Sequence, residues 1–429
     1  MAKGKVLAGI DVGTAKVCTI IAAAAEGKIN VMGVSSTPSK GLRKSQIVDI
    51  EDAIEAITES VEAAERMAGY NINSAFVSIG GAHIASQNSK GVVAVSEPEG
   101  EIINDDVLRV IEAARAISLA SSREILHVIP RDFIVDSQEG IKDPVGMTGV
   151  RLEAEAHIIT GFSTAMRNLS KCVGEIGVAT TGLVFSGLAA AEAVLTETER
   201  ELGVVLADLG GGSTSLAVFV EGSQAHSAVI PIGARNITND LAIGMRVSLD
   251  SAEKIKVALS QEKKLPATPS RDKEEREKQD EIDLTKLGIK EEISTASRKT
   301  LIDGIIRPRL NEIFTMIGLE LKKSGFGGQT PAGVVLTGGG AHTVEIVNAC
   351  KRTLSMPTRT GMPKGLSGLV EEIRDPVYAA ATGLILYGLK NDGGAPVRSG
   401  GGGLGKVLSR LPVKGVVGKA ADFIKSFLP

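Results

Sequence analysis

The run Leu206-Ala207-Asp208-Leu209-Gly210-Gly211-Gly212-Ser213-Thr214-Ser215-Leu216-Ala217-Val218-Phe219 constrains this chain more than any other stretch. An apolar strand enters, an aspartate stands at its end, and three glycines force a tight turn. Two hydroxyl residues follow before a second apolar strand leaves. Successive glycines let backbone N–H groups point at an anion, because no Cβ blocks the approach. The aspartate can hold a water of a hydrated cation, which suits Mg²⁺ accompanying phosphates. A shorter version stands near the start, at Ala8-Gly9-Ile10-Asp11-Val12-Gly13-Thr14-Ala15-Lys16. Either alone reads equally as an ordinary Gly-rich hairpin. Together, with matched flanking strands, they point to two half-domains closing on one nucleotide.

The totals bound the alternatives. A length of 429 residues allows two or three domains, and 43% hydrophobic residues supports real cores. The 48 basic residues against 51 acidic ones give −3, so no global attraction to nucleic acid is implied. Sparse aromatics and the absence of Trp argue against a base-stacking platform. Cys18, Cys172 and Cys350 are isolated, and the five histidines have no metal-ligand spacing. Residues 1–30 carry no secretory signal, and the apolar stretch 17–25 is too short to span a bilayer. A cytoplasmic compartment is expected.

Along the chain, 6–10 and 17–24 read as a hairpin around the first loop, with a third strand at 29–34. Residues 52–68 place Ile54, Ile57, Val61 and Ala64 on one helical face. A strand at 76–79 ends at Gly80-Gly81. The rhythm then changes: strand 92–95, helix 107–120, and strands 125–129, 132–135 and 153–159 suggest a separate module over 83–160. Helices are expected at 165–173, 189–195, 251–259, 297–321 (with a possible bend near Pro308) and 375–389, and strands at 183–186 and 333–336. The charged run 261–283 reads as a solvated loop, and the glycines of 393–403 as a flexible linker.

Two Asp-x-Gly loops with the later Thr337-Gly338-Gly339-Gly340-Ala341 element resemble the actin-like ATPase superfamily. More specific stretches are similar to the FtsA family of bacterial cell division proteins. These are Val48-Asp49-Ile50, Glu65-Arg66-Met67-Ala68-Gly69, Arg123-Glu124-Ile125-Leu126-His127-Val128-Ile129-Pro130, Gly140-Ile141-Lys142-Asp143-Pro144-Val145-Gly146-Met147, Gly149-Val150-Arg151-Leu152-Glu153-Ala154 and Asp375-Pro376-Val377-Tyr378. The resemblance implies an α/β, actin-like (ribonuclease H-like) two-lobed ATPase fold with an inserted strand-helix-strand-strand subdomain. The first lobe would comprise 1–82, 162–199 and 362–390, with the insert at 83–161. The second lobe would comprise 200–235 and 310–361, with an outer, partner-docking subdomain at 236–309. A linker (391–403) and a tail (404–429) would follow.

By the same resemblance, Asp11, Gly13, Thr14 and Lys16 would cradle phosphate in the first loop, and Asp208, Gly210, Gly211, Gly212, Ser213 and Thr214 in the second. Asp11 and Asp208 would hold Mg²⁺ through waters. Glu253 and Lys256 would lie beside ribose and adenine, although on a helix they read equally as a surface ion pair. Gly338, Gly339 and Gly340 would let the backbone pass close to the adenosine, or simply make a strand-to-helix turn. Ser215 departs from the family pattern, which has an acidic or imidazole side chain near the attacking water. Serine is a poor general base, so ATP binding with slow or negligible hydrolysis is expected.

The tail is legible from physics alone. Val416, Val417, Phe423, Ile424, Phe427 and Leu428 form an apolar stripe accompanied by Lys419 and Lys425. A basic amphipathic helix on a glycine tether reads as an anchor on an anionic membrane surface, the alternative being a terminal helix docked on the protein's own core. The resemblance further implies self-association into filaments at the division septum. It also implies docking of the C-terminal peptide of the tubulin-like FtsZ near Arg309 and Glu312, which otherwise read as an exposed charged helix face. Alternatives within the same fold are a pilus-assembly protein or a chaperone-type ATPase.

Overall fold

The computed structural model describes residues 5–25, 28–97, 99–261 and 280–391. The expected tail and linker, and most of the charged run, lie outside the described residues. The two ends of that run are ordered elements: Gln261 closes the helix Leu249–Gln261, and Glu281–Asp283 is a strand paired with Thr295–Ser297. Ile282, buried on that strand, supplies the apolar anchor that the surrounding charges hid.

Two sheets repeat one theme. In the first lobe, Lys5–Val12 and Lys16–Ala25 form an antiparallel hairpin, Lys28–Pro38 continues it, and Ser74–Ile79 and Ala179–Phe185 add on in parallel. In the second lobe, Val204–Leu209 and Thr214–Val220 form the hairpin, extended by Ser223–Ile230, with Val334–Thr337 and Thr358–Thr360 parallel to it. The registers place Asp11 opposite Cys18 and Asp208 opposite Ser215, so each aspartate stands one residue before the end of the first strand of its hairpin.

Helix Ile50–Ala68 covers one face of the first sheet. Asp49 caps its start by accepting from the Asp52 N–H, and Gly69 ends it in the left-handed conformation. Its buried face runs through Ala53, Ala56, Ile57, Ser60, Val61 and Ala64, so small residues let the helix lie close to the sheet. Helices Ser186–Val194 and Ala379–Asn391 cross between the lobes. A Cβ on Gly383 would stand 1.7 Å from the Ala189 carbonyl oxygen, so only glycine permits this crossing. The largest apolar cluster lies in the second lobe around Leu310, Phe314 and Ile317, against Leu241 and Ile255.

The inserted module contains the expected set with one addition. Ala85–Ala94, helix Asn104–Arg115, Arg123–Val135, Gln138–Ile141 and Arg151–Phe162 make a four-stranded sheet flanked by the helix. Segments 125–129 and 132–135 are one strand, interrupted by a register shift opposite Glu155 and Ala156 rather than by a turn. The helix stops at Arg115, short of Ala120, where the Ile117 N–H turns back to the Arg115 carbonyl. Helix Ala234–Met245 was not expected: Gly233, Gly244 and three asparagine or aspartate residues obscure its period in the sequence. The long helix near Pro308 is continuous, with a wide turn over Ile302–Ile306 in which the Arg307 N–H reaches five residues back to Ile302. Pro308 then opens the segment Arg307–Ser324.

Candidate nucleotide site

The two glycine hairpins meet tip to tip across the interlobe cleft. Both close with the same turn: Gly13 N–H donates to the Lys16 carbonyl at 3.0 Å, and Gly210 N–H to the Ser213 carbonyl at 2.9 Å. A Cβ on Gly211 would come within 2.7 Å of Ala15 Cβ, and one on Gly212 within 2.7 Å of Thr14 Oγ1. The missing side chains therefore allow the lobes to approach. Between the tips lies a cleft of about 180 Å³ lined by Asp11, Gly13, Thr14, Lys16, Ser45, Asp208, Gly210, Gly211, Ser213, Gly338 and Gly339, among others.

Its electrostatics centre on two carboxylates. Asp208 is pushed up to about 7, first by burial and then by the neighbouring Asp11 charge, with Lys16 opposing. Asp11 accepts from the Ser78 hydroxyl at 2.6 Å, and the same Ser78 oxygen accepts from the Val12 N–H. Lys16 donates to the Val377 carbonyl at 2.5 Å, and its ammonium lies 4.6 Å from the Tyr378 ring centre. This all-oxygen pair, crowded with like charge, has the chemistry of a hard-cation site. Gly338, at φ +79°, passes so close to Asp208 that a Cβ would fall 2.3 Å from Oδ1.

Most of the expected loop residues thus converge, along with Gly338 and Gly339. Gly212, Thr214 and Gly340 stand behind the lining: Thr214 donates to the Ile232 carbonyl, and Gly340 packs on Leu209. Glu253 and Lys256 do not line this cleft. Lys256 Nζ bonds Glu253 at 2.7 Å and Thr238 at 2.9 Å, so helices Ala234–Met245 and Leu249–Gln261 are pinned together by them. Glu253 also borders a separate open cavity with Lys254, Lys286 and Lys290. Arg309 is fully engaged, forking onto Asp240 at 2.5 and 2.8 Å and onto Glu312 at 2.5 Å.

Ser45, Ser78 and Ser186 line the cleft without having been singled out for it. Only Gly80-Gly81, ending a strand beside them, could have pointed there. The Ser215 hydroxyl pairs with that of Ser186 at 2.8 Å. Among the described residues lining the cleft, Asp11, Lys16 and Asp208 carry charge and none is Glu or His.

Comparison with known proteins bears on the fold and on the inserted module. Residues 81–160 match the family model described as the SHS2 domain inserted in FTSA, and residues 205–383 match the one described as cell division protein FtsA. Cell division protein FtsA of Pseudomonas aeruginosa is 37% identical over 398 residues, covering 90% of each chain. Two solved structures share the fold at lower identity. A PilM-PilN type IV pilus biogenesis complex matches with TM-score 0.63 and 15% identity, covering 89% of this chain and 98% of that one. MreB 5 of Spiroplasma citri bound to AMPPNP matches with TM-score 0.52 and 14% identity, covering 90% and 96%. With relatives of this identity along nearly its whole length and the inserted module in place, the chain belongs to the FtsA family of cell division proteins.

Proposed function

We propose that this chain binds ATP in the interlobe cleft, polymerises on the cytoplasmic face of the membrane, tethers the FtsZ ring there and recruits later division proteins. The observation that carries the reading is the half-buried pair Asp11 and Asp208, one from each lobe, lining the same cleft between glycine turns. Two carboxylates so placed call for a cation, and the surrounding N–H groups for an anion. Mg²⁺ with ATP satisfies both, and the nucleotide-bound structure of the same fold supports the choice. Asp11 and Asp208 would hold the metal, through waters. Gly13, Thr14, Lys16, Gly210, Gly211 and Ser213 would hold phosphate, and Gly338 and Gly339 would flank the adenosine. When bound, the metal would neutralise phosphate charge and join the lobes.

The lining supports slow hydrolysis. By the family resemblance Ser215, which pairs with Ser186, would stand near the attacking water, and a serine hydroxyl does not take a proton efficiently at neutral pH. Nucleotide would then act as a lobe-closing ligand that biases self-association rather than as a fuel. Calorimetric titration of the purified full chain with Mg²⁺ and ATP tests the binding claim, and absence of heat with both ATP and ADP would overturn it. Phosphate release at many molecules per minute would overturn the hydrolysis claim alone.

A further inference from the structure

A short hairpin of the first lobe reaches into the cleft at one end. Strands Leu42–Arg43 and Gln46–Ile47 pair with each other, and the two residues between them, Lys44 and Ser45, have φ of 50° and 58°. Side chains other than Gly, Asn and Asp rarely take that conformation, so two in succession mark a tip held by its surroundings. The Ser45 N–H donates to Thr14 Oγ1 at 2.7 Å, and the Ser45 and Ser213 hydroxyls are 2.7 Å apart. The tip rests on the Gly80-Gly81 bend, where a Cβ on Gly80 would stand 3.5 Å from Ser45 Cβ and 3.3 Å from the Ser186 hydroxyl. Thr14 belongs to one phosphate loop and Ser213 to the other. Ser45 belongs to neither, yet touches both.

Resting on the nucleotide reading above, we infer that Ser45 receives the outermost phosphate of a bound nucleoside triphosphate and so sets preference for triphosphate over diphosphate. The lining falls into two groups of contacts. Gly338 lies against Asp208 with its N–H donating to the Pro376 carbonyl, and Lys16 reaches Val377, whereas Ser45 and Ser186 gather around Gly80. With adenosine flanked by Gly338 and Gly339 as proposed above, the group around Ser45 would meet a phosphate chain at its terminal group. The Ser45 hydroxyl, paired with the neutral hydroxyl of Ser213, can exchange that partner for an anionic oxygen, which is the stronger acceptor. Exposed Lys44 beside it adds a cation at the same end. A diphosphate stops short, and the hydroxyl stays on Ser213. Glycine would take this backbone without strain; serine is the residue that adds a donor there.

Ser45→Gly separates the hydroxyl from the backbone shape, because glycine keeps a positive φ and relieves its strain. Binding of ATP and of ADP, each with Mg²⁺, is measured on the full chain and on this variant, with melting temperature as a folding control. ATP affinity falls about tenfold, the value of one lost hydrogen bond to a charged group. ADP affinity stays unchanged, and the melting temperature without nucleotide is not lowered. Ser45→Asn, which tolerates the left-handed region and keeps a donor, retains the preference for ATP. Equal losses for both nucleotides, or no loss for either, overturn the assignment to Ser45 while leaving the cleft reading intact. Failure of the unsubstituted chain to bind either nucleotide overturns both.

Discussion

The imidazole of His157 and the hydroxyl of Ser227 meet 2.8 Å apart and join the inserted module to the second lobe. The other ring nitrogen lies 2.7 Å from Asn88 Oδ1, while Gln224 Nε2 donates to the same Ser227 hydroxyl. One proton arrangement satisfies all three contacts: His157 donates from Nδ1 to Asn88 and accepts from Ser227 at Nε2. Around this pair, Ser86 donates to the Ser227 carbonyl and accepts from its N–H, and Asn88 donates to the Ala225 carbonyl. The module is threaded into the first lobe but hydrogen-bonded to the edge strand of the second.

The first prediction concerns pH. Burial pushes His157 down to about 3, with His226, Arg131 and His127 adding repulsion, and burial alone pushes His127 to about 4. Both are therefore neutral when folded, whereas an unfolded histidine titrates near 6.5. The unfolded state takes up protons first, so this contribution is full above pH 6.5 and declines as pH falls toward the folded values. Denaturant midpoints followed from pH 7.5 down to roughly 5, on an Asp208→Asn background so that its raised carboxyl does not titrate in the same window, should decline. His157→Gln should lose roughly 1–3 kcal/mol at neutral pH and show a shallower acid slope. An unchanged slope would remove His157 from the account.

Asp208 makes the opposite contribution. Its folded value, about 7, lies above the ordinary 3.8, so the folded state holds the proton more tightly. That stability is present below pH 3.8 and is lost as pH rises through about 7. Without nucleotide or metal, Asp208→Asn should therefore stabilise the chain at pH 8, by of order 1–3 kcal/mol. The same change should abolish the rise in melting temperature on adding Mg²⁺ and ATP. A variant less stable than the parent at pH 8 without ligand would show that the carboxylate is not strained.

The proposed docking surface has its own test, because Arg309 is already bound. Its guanidinium forks onto Asp240, which raises its basicity and holds helix Ala234–Met245 against Arg307–Ser324. Arg309→Ala would leave Asp240 partly buried and unpaired, so lost peptide binding could reflect roughly 1–2 kcal/mol of local destabilisation. Asp240→Asn keeps the shape and frees the charge. If Arg309 contacts a carboxylate of the FtsZ C-terminal peptide, this variant binds it more tightly in a fluorescence anisotropy titration; weaker binding would mean that Arg309 only scaffolds the surface.

Legibility followed locality. The two hairpins could be read because aspartate, glycines and flanking apolar strands are contiguous, and the Asp11 and Asp208 turns fall where expected. Ser45 could not, because its relevance comes from contacts with Thr14, 31 residues away, and Ser213, 168 residues away. Helix Ala234–Met245 was hidden by its glycines and asparagines, and its stability comes from packing Ile237 and Leu241 into the second-lobe core. Strand Ala85–Ala94 was read too short because its polar residues, Ser86 and Asn88, face the second lobe and break the expected alternation. The Glu253 and Lys256 spacing marks one helical face, and both side chains meet Thr238 of the neighbouring helix there.

The last prediction concerns the tail, which only the sequence describes. Phe423, Ile424, Phe427 and Leu428 would each contribute at most roughly 1.5–3 kcal/mol on full burial, and interfacial burial is partial. Lys419 and Lys425 add about 1 kcal/mol each near an anionic leaflet. Ordering a segment that contains Gly415 and Gly418 opposes these gains. A single copy should therefore bind weakly and reversibly, while copies joined in a filament bind by effective concentration. Co-sedimentation with anionic vesicles should depend on protein concentration, rise with ATP, and vanish for a chain truncated after Gly400. Lys419→Glu with Lys425→Glu should weaken pelleting on anionic vesicles, whereas Phe423→Ala with Phe427→Ala should weaken it whatever the lipid charge. Undiminished pelleting of the truncated chain would place the membrane contact elsewhere, and an ATP effect that survives truncation would uncouple nucleotide from the anchor.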